Sequence, residues 1–124
     1  MTAVHELFKQ YIIDSGLIAG YKLQLYQWID SGVAGDKFSV IMPDGGLPTR
    51  AELGNEYNVM LMLVGPKNQI SIVADKANEI RDYITSNPRY GCIHHMYNAG
   101  GYPRPVFTED NRIVIQLQIT IISN

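Results

Sequence analysis

The apolar positions near the N-terminus follow the spacing of one helix face. They recur at intervals of three and four residues, at Val4, Leu7, Phe8, Tyr11 and Ile12. Thr2 is a suitable N-cap, and the Asp-Ser-Gly stretch at 14–16 is typical of a helix end. The pattern therefore predicts a first helix between these two signals.

Two shorter segments that follow have the pattern of strands. Residues 21–30 mix aromatic and aliphatic side chains with Lys22, Gln24 and Gln27, as a half-buried strand does. From position 37 the even positions to 42 are apolar while Lys37 and Ser39 are polar, and glycine-containing residues 31–35 supply a turn between the two segments. We therefore predict that the two strands pair as a hairpin, which ends at residues 43–46.

The middle of the chain predicts a buried strand and then a second helix. Residues 57–64 are apolar at nearly every position, which is typical of a strand covered on both faces. We predict that this is the central strand, with a helix layer on one side and another subunit on the other. After a break at 65–67, helical spacing returns and continues to a stop at 86–88, through Ile70, Val73, Ala74, Ala77, Ile80 and Ile84.

The C-terminal third combines a weak strand, a long loop and a strongly patterned strand. Residues 91–97 are a short candidate strand, and residues 98–110, with two glycines and two prolines, are predicted to be a loop. A loop of that length in a compact domain usually has a function. The closing strand shows the clearest period-two pattern in the chain, with Ile113, Ile115, Leu117, Ile119 and Ile121 alternating with Val114, Gln116, Gln118 and Thr120.

This order of elements predicts an α+β fold with a mostly antiparallel mixed sheet of about five strands and two helices packed on one face. The chain has 124 residues, which is enough for one hydrophobic core without a metal or a disulfide. We therefore predict a single domain over residues 1–124. A second irregular segment, residues 45–55, is predicted to be an exposed loop.

Composition and charge exclude several classes of function. The net charge is -2, and the ten Lys and Arg residues are scattered, so the sequence does not favour binding along a nucleic-acid backbone. The single cysteine indicates the cytosol. The N-terminus lacks the pattern of a signal peptide, and the apolar runs are too short for a transmembrane helix, so no membrane is expected.

Cys92, His94 and His95 form the cluster that most resembles a reactive or metal-binding site. Because neighbouring strand residues point to opposite faces, Cys92 and His94 would remain as two ligands, fewer than zinc requires. We interpret the two histidines as one core-facing and one exposed side chain. No catalytic residue, metal ligand or cofactor is predicted, although a small metal-dependent or Cys-dependent hydrolase using Cys92, His94 and glutamates stays an alternative.

The two predicted loops contain the residue types that anchor protein interfaces. Aromatic residues and arginine are enriched in such interfaces, and the glycine pairs in these loops match no phosphate-binding motif. We therefore expect the loops to contact other polypeptides, and the interface candidates are Leu47, Arg50, Tyr102, Arg104 and Phe107.

Five stretches of the sequence carry a resemblance to a known family. They are VHELF at 4–8, LYQW at 25–28, GGLPTR at 45–50, ADKANEI at 74–80 and VIQLQIT at 114–120. Spread over nearly the full chain, they resemble the tail terminator proteins of long-tailed phages, the group that includes the lambda-type minor tail protein U. Other head-tail connector proteins, such as stopper and head-completion proteins, share this size and texture and are the alternative.

The resemblance implies a structural role in virion assembly. A tail terminator would form a homo-oligomeric ring, a hexamer, that caps the tail tube, ends its polymerisation and offers the surface for head attachment. Its partners would be other copies of itself, the major tail tube protein and a head-completion or connector protein, with DNA only passing through the lumen. It would lie in the tail of the virion, and in the host cytoplasm during assembly.

Overall fold

The computed structural model of the chain describes residues 4–29, 31–32, 35–46, 55–91, 93–100, 105–109 and 111–123. These residues form two helices and a six-stranded mixed sheet, which confirms the predicted α+β class. In chain order the elements are α1 (Val4–Ser15), β1 (Lys22–Leu25), β2 (Phe38–Gly46), β3 (Asn55–Gly65), α2 (Ile70–Ser86), β4 (Ile93–Asn98), β5 (Pro105–Phe107) and β6 (Ile113–Ser123).

Both predicted helices are confirmed, and both end at local capping contacts. At the end of α1 the Ser15 hydroxyl donates to the Ile12 carbonyl at 2.6 Å, and Gly16 adopts a φ of 74°, a left-handed conformation that glycine adopts without steric cost. At the end of α2 the Asn87 backbone and side-chain N–H groups both donate to the Tyr83 carbonyl, at 2.8 and 3.1 Å. Pro88 follows and prevents a further turn.

The strands lie in the order β1-β2-β3-β6-β4, and β5 also pairs with β6. β3 pairs with β6 along its whole length, from Asn55 opposite Ser123 to Gly65 opposite Ile113. The prediction that this apolar segment is the central strand is therefore confirmed. β4 and β5 share the other edge of β6, because β4 pairs with its C-terminal half and β5 with its N-terminal end.

The predicted hairpin of the first two strands is wrong. β1 and β2 run parallel, with Lys22 opposite Phe38 and Leu25 opposite Ile41. The strand pattern over 21–30 also ends early, because Tyr26 takes a φ of 70° and the chain leaves the sheet. A parallel pair needs a long return connection, and residues 26–37 provide it, with the Trp28 ring 5.9 Å from the ring of Phe38.

Both predicted loops are shorter than the sequence pattern indicated. Residues 45 and 46 still belong to β2 and Asn55 already belongs to β3, because the ladder between these strands continues past Pro43 with a register irregularity. Within the predicted loop 98–110, Pro105–Phe107 forms β5 on the edge of β6. Loop prediction failed there because backbone pairing with β6 is a long-range contact that local composition does not encode.

The main core lies between the two helices and one face of the sheet, as predicted. β3 and β6 each contribute alternate residues to it, and α1 and α2 contribute one apolar side apiece. The buried side chains from the helices are Phe8, Tyr11, Ile12, Val73, Ala77, Ile80 and Ile84. The period-two and helical patterns of the sequence therefore meet on the same face.

A group of aromatic side chains joins α1 to the segment after α2. The buried Tyr11 ring lies 5.4 Å from Tyr83 and 5.5 Å from Tyr90, and its hydroxyl donates to the Asn87 carbonyl at 2.7 Å. At the surface of this group the Tyr90 hydroxyl donates to the Asp14 carboxylate. α1 is thus attached to the chain beyond α2 by both apolar and polar contacts.

We expect Tyr90→Phe to raise the pKa of Asp14. The hydrogen bond from Tyr90, followed by the one from Gln10, holds that pKa below its ordinary value of 3.8. A carboxyl group with a lowered pKa stabilises the folded state at pH values above its ordinary pKa. This contribution is lost as the pH falls through the folded-state pKa. Carboxyl NMR titration measures the shift, with Tyr97→Phe as the control, and an unchanged Asp14 pKa in Tyr90→Phe would contradict this assignment.

Candidate functional site

The face of the sheet opposite the helices is partly covered by the connection after β1. The Trp28 side chain packs over a buried apolar group, and the Arg112 guanidinium lies 6.0 Å from its ring centre, within the range of cation–π attraction. The residues beneath are Phe38, Val40, Val64 and Val114. This end of the helix-free face is therefore already occupied by the chain itself.

The middle of that face is formed by methionine and amide side chains, which are half-buried except for the exposed Gln116. Strand register places Met42 opposite Met60, Met60 opposite Gln118, and Met62 opposite Gln116. The Gln116 side-chain nitrogen lies 4.0 Å from the Met62 sulfur. We call these five residues the Met-Gln patch. It is uncharged, and methionine surfaces adapt readily to the shape of a partner.

An apolar cleft opens where α1 ends beside β1. Its volume is about 350 Å³, and we call it the edge cleft. Left-handed glycines at 16 and 20, with φ of 74° and 88°, turn the chain from the helix into the strand around it. The lining residues are Ile13, Gly16, Ile18, Ala19, Tyr21 and Leu23. β1 is an edge strand, so the cleft lies at a margin of the sheet.

Tyr21 contributes an aromatic side chain to the edge cleft. Its ring is 8% exposed, and the hydroxyl is buried without a hydrogen-bond partner among the described residues. Burial is the main cause that raises the pKa of Tyr21, and the charge of Glu79 is the second. The hydroxyl therefore stays protonated at neutral pH. The Lys37 ammonium lies 4.8 Å from the ring centre. A buried hydroxyl without a partner costs about 1–3 kcal/mol.

An ion pair lies at the start of β1, on the helix-free face of the sheet. The Lys22 ammonium lies 2.7 Å from the Asp36 carboxylate, which also accepts a hydrogen bond from the Ser31 hydroxyl. The bond from Lys22, and then the one from Ser31, hold the pKa of Asp36 below its ordinary value. The carboxylate is therefore ionised at neutral pH and holds the turn against β1.

The opposite margin of the sheet exposes two large apolar side chains. Val106 and Phe107 of β5 are 57% and 56% exposed. The two side chains lie on opposite faces of the sheet. Val106 is opposite Val114, on the helix-free face, and Phe107 is opposite Ile113, on the helix face. The two ends of the sheet therefore differ, with a cleft at one and protruding apolar groups at the other.

Of the five interface candidates, the structure places one. Phe107 is exposed on β5, as an interface residue would be in an isolated subunit, and its contact with a partner stays a prediction. The other four, Leu47, Arg50, Tyr102 and Arg104, lie outside the described residues.

The interpretation of the histidine pair as one core-facing and one exposed residue is wrong. His94 and His95 are both exposed, because a register shift between Ile93 and His95 breaks the alternation of β4. Cys92 lies outside the described residues. Among the residues that the structure does describe, no three His, Cys, Asp or Glu side chains are grouped as metal ligands.

Sequence reasoning missed the edge cleft because its residues were assigned to other elements. Ile18 and Ala19 lay between two predicted elements, and Tyr21 and Leu23 were assigned to a half-buried strand. The signal present in the sequence was the pair Gly16 and Gly20, which enclose three apolar or small residues in a turn. Val106 was missed because its segment was interpreted as a loop.

A family model described as phage tail termination protein matches residues 1–124, the whole chain. A search of curated proteins finds no match. In the described part of the chain, no helix combines the length and the apolar character required to cross a membrane.

Proposed function

Because this chain belongs to the family of phage tail termination proteins, we propose that it is a structural, non-enzymatic protein that caps the tail tube, stops its polymerisation and provides the surface to which the head attaches. As a phage tail protein it is a component of the virion. Its assembly with the tail takes place in the host cytoplasm.

The observation that supports this proposal is the distribution of apolar surface at the margins of one sheet. Large exposed apolar side chains lie on β5, and an apolar cleft lies beside β1 at the other end. Clustered apolar exposure of this kind is typical of surfaces that contact other proteins. It fits a protein that acts by binding neighbours.

The working unit in this proposal is a ring of identical subunits, a hexamer. A ring requires two different patches on each subunit, because every copy contacts the next one head to tail. The two unlike margins of the sheet meet this requirement. The remaining partners are the major tail tube protein on one side and a head-completion or connector protein on the other.

The Met-Gln patch is suited to a surface along which DNA slides. None of its five residues is charged, and a wall with few cations holds the phosphate backbone weakly. We therefore place this patch toward the lumen of the ring. This arrangement leaves the helix layer for the outer surface.

We expect the purified chain to stop tube growth when it is added to polymerising tail tube protein of the same phage. Electron microscopy would show shorter tubes with added density at one end, and native mass spectrometry of isolated caps would give six copies. The control is the same chain after heat denaturation. Tubes of unchanged length without terminal density would contradict the proposal, and binding to the head connector alone would instead indicate a stopper or head-completion role.

A further inference from the structure

We propose that the edge cleft is the receptor for Phe107 of a second copy of this chain. The proposal rests on the ring assembly proposed above and identifies the contact that joins neighbouring subunits. Phe107 and the cleft lie at opposite margins of the same sheet, because β5 pairs with β6 at one end and β1 is the outer strand at the other. A contact between them is head to tail, as ring closure demands.

The two groups also lie on the same side of the sheet. Phe107 is opposite Ile113, which is buried under the helices. Leu23 lines the cleft and is opposite Ser39, between residues that point to the other face. When β5 of one copy lies beside β1 of a second copy, with the helices of both copies on the same side, Phe107 lies on the side where the cleft opens.

The chemistry of the cleft matches an aromatic side chain. Its lining is mostly aliphatic, which suits the Phe107 ring. Tyr21 also lines the cleft, and pairs of aromatic rings are stabilised beyond the area that they bury.

The two margins offer one pair of opposite charges. Lys37 stands over the Tyr21 ring beside the cleft, and Glu109 is exposed two residues beyond Phe107. An incoming β5 segment would thus place a carboxylate toward a cation. Such pairs set orientation and association rate more than affinity.

Side-chain insertion carries this contact, with backbone pairing in a minor role. β1 has four residues and β5 has three, beginning with a proline that lacks an N–H group. Short edge strands and prolines limit uncontrolled sheet extension. An aromatic residue seated in a pocket is the usual source of most of the binding energy in a small interface.

The test compares three exposed-site variants of the full chain. Phe107→Ser removes the inserted group, Ala19→Arg obstructs the cleft from an exposed lining position, and Val106→Ser is the matched control on the same strand with the same exposure and the opposite side. We expect the first two to weaken self-association about tenfold or more in mass photometry or light scattering, with and without tail tubes. Val106→Ser should assemble nearly as wild type, and circular dichroism melting verifies that each variant is folded.

Mixing the two defective variants gives the sharper result. Phe107→Ser keeps an intact cleft and Ala19→Arg keeps an intact Phe107, so an equimolar mixture should form one-to-one dimers that cannot grow into rings. If Phe107→Ser and Ala19→Arg each assemble as the wild type does, the contact is overturned. The proposed function still holds in that case if the wild type caps tail tubes. Wild type that remains monomeric under every condition overturns the contact as well, whereas Phe107-dependent association without capping upholds the contact and rejects the tail-capping role.

Discussion

Leu61→Ala is expected to lower the free energy of unfolding by about 2–5 kcal/mol, as the removal of a fully buried leucine does. Leu61 is 0% exposed and lies in the central strand, with Ile41 and Leu117 opposite it on the two neighbouring strands. The helix layer covers the same face. The cavity left by the substitution is enclosed on all sides, so the surroundings have little freedom to fill it.

Met62→Ala is the matched control for this prediction. Met62 is the next residue of the same strand but is half-buried on the helix-free face, so its loss should be about 1 kcal/mol. Urea unfolding followed by circular dichroism measures both variants. Equal losses would mean that the two faces of β3 are buried alike and would contradict the assignment of the main core to the helix face.

Gly65→Ala is expected to lower the free energy of unfolding by about 1–3 kcal/mol, the usual range for overpacking a core. Gly65 is the last residue of β3, and a Cβ atom built on it would lie 2.1 Å from Cγ2 of Val73 in α2. A valine in a helix has one strongly preferred rotamer, so Val73 cannot swing aside. The alanine methyl group must push α2 away from the sheet.

A double variant tests this explanation. In Gly65→Ala/Val73→Ala the clashing methyl group is gone, so the double variant should lose at least about 0.5 kcal/mol less than the sum of the two single variants. Chemical denaturation of the four proteins gives the coupling. Strictly additive losses would show that the close approach of Gly65 to Val73 is not what selects glycine at this position.

The hairpin error shows what alternation can and cannot indicate. The pattern of polar and apolar residues correctly predicts that β1 and β2 are strands, and Leu25 and Ile41 do share a face. Alternation defines the face of each residue but carries no information about whether neighbouring strands run parallel. The direction depends on the path of residues 26–37, where Tyr26 leaves the sheet and Trp28 packs back onto Phe38.

The prediction for His94 and His95 was wrong for a related reason. The prediction assumed unbroken alternation through β4, whereas the register shift between Ile93 and His95 exposes both imidazoles. A bulge is selected by the fit of β4 against β6, which no local pattern of six residues contains. The family resemblance, in contrast, was carried by stretches over nearly the full chain, and the match to phage tail termination proteins over residues 1–124 confirms it.

By itself the sequence determined the two helices, the central and C-terminal strands, the α+β class and the family. The helices and strands follow from residue patterns that extend over most of each element, such as Val73 to Ile84 in α2 and Ile113 to Ile121 in β6. The family follows from the resemblance carried by stretches over nearly the full chain. Only the tertiary structure decided the parallel pairing of β1, the existence of β5, and the opposed positions of Phe107 and the edge cleft. Each of these depends on which distant segments meet, because strand pairing and cleft formation join residues far apart in the chain.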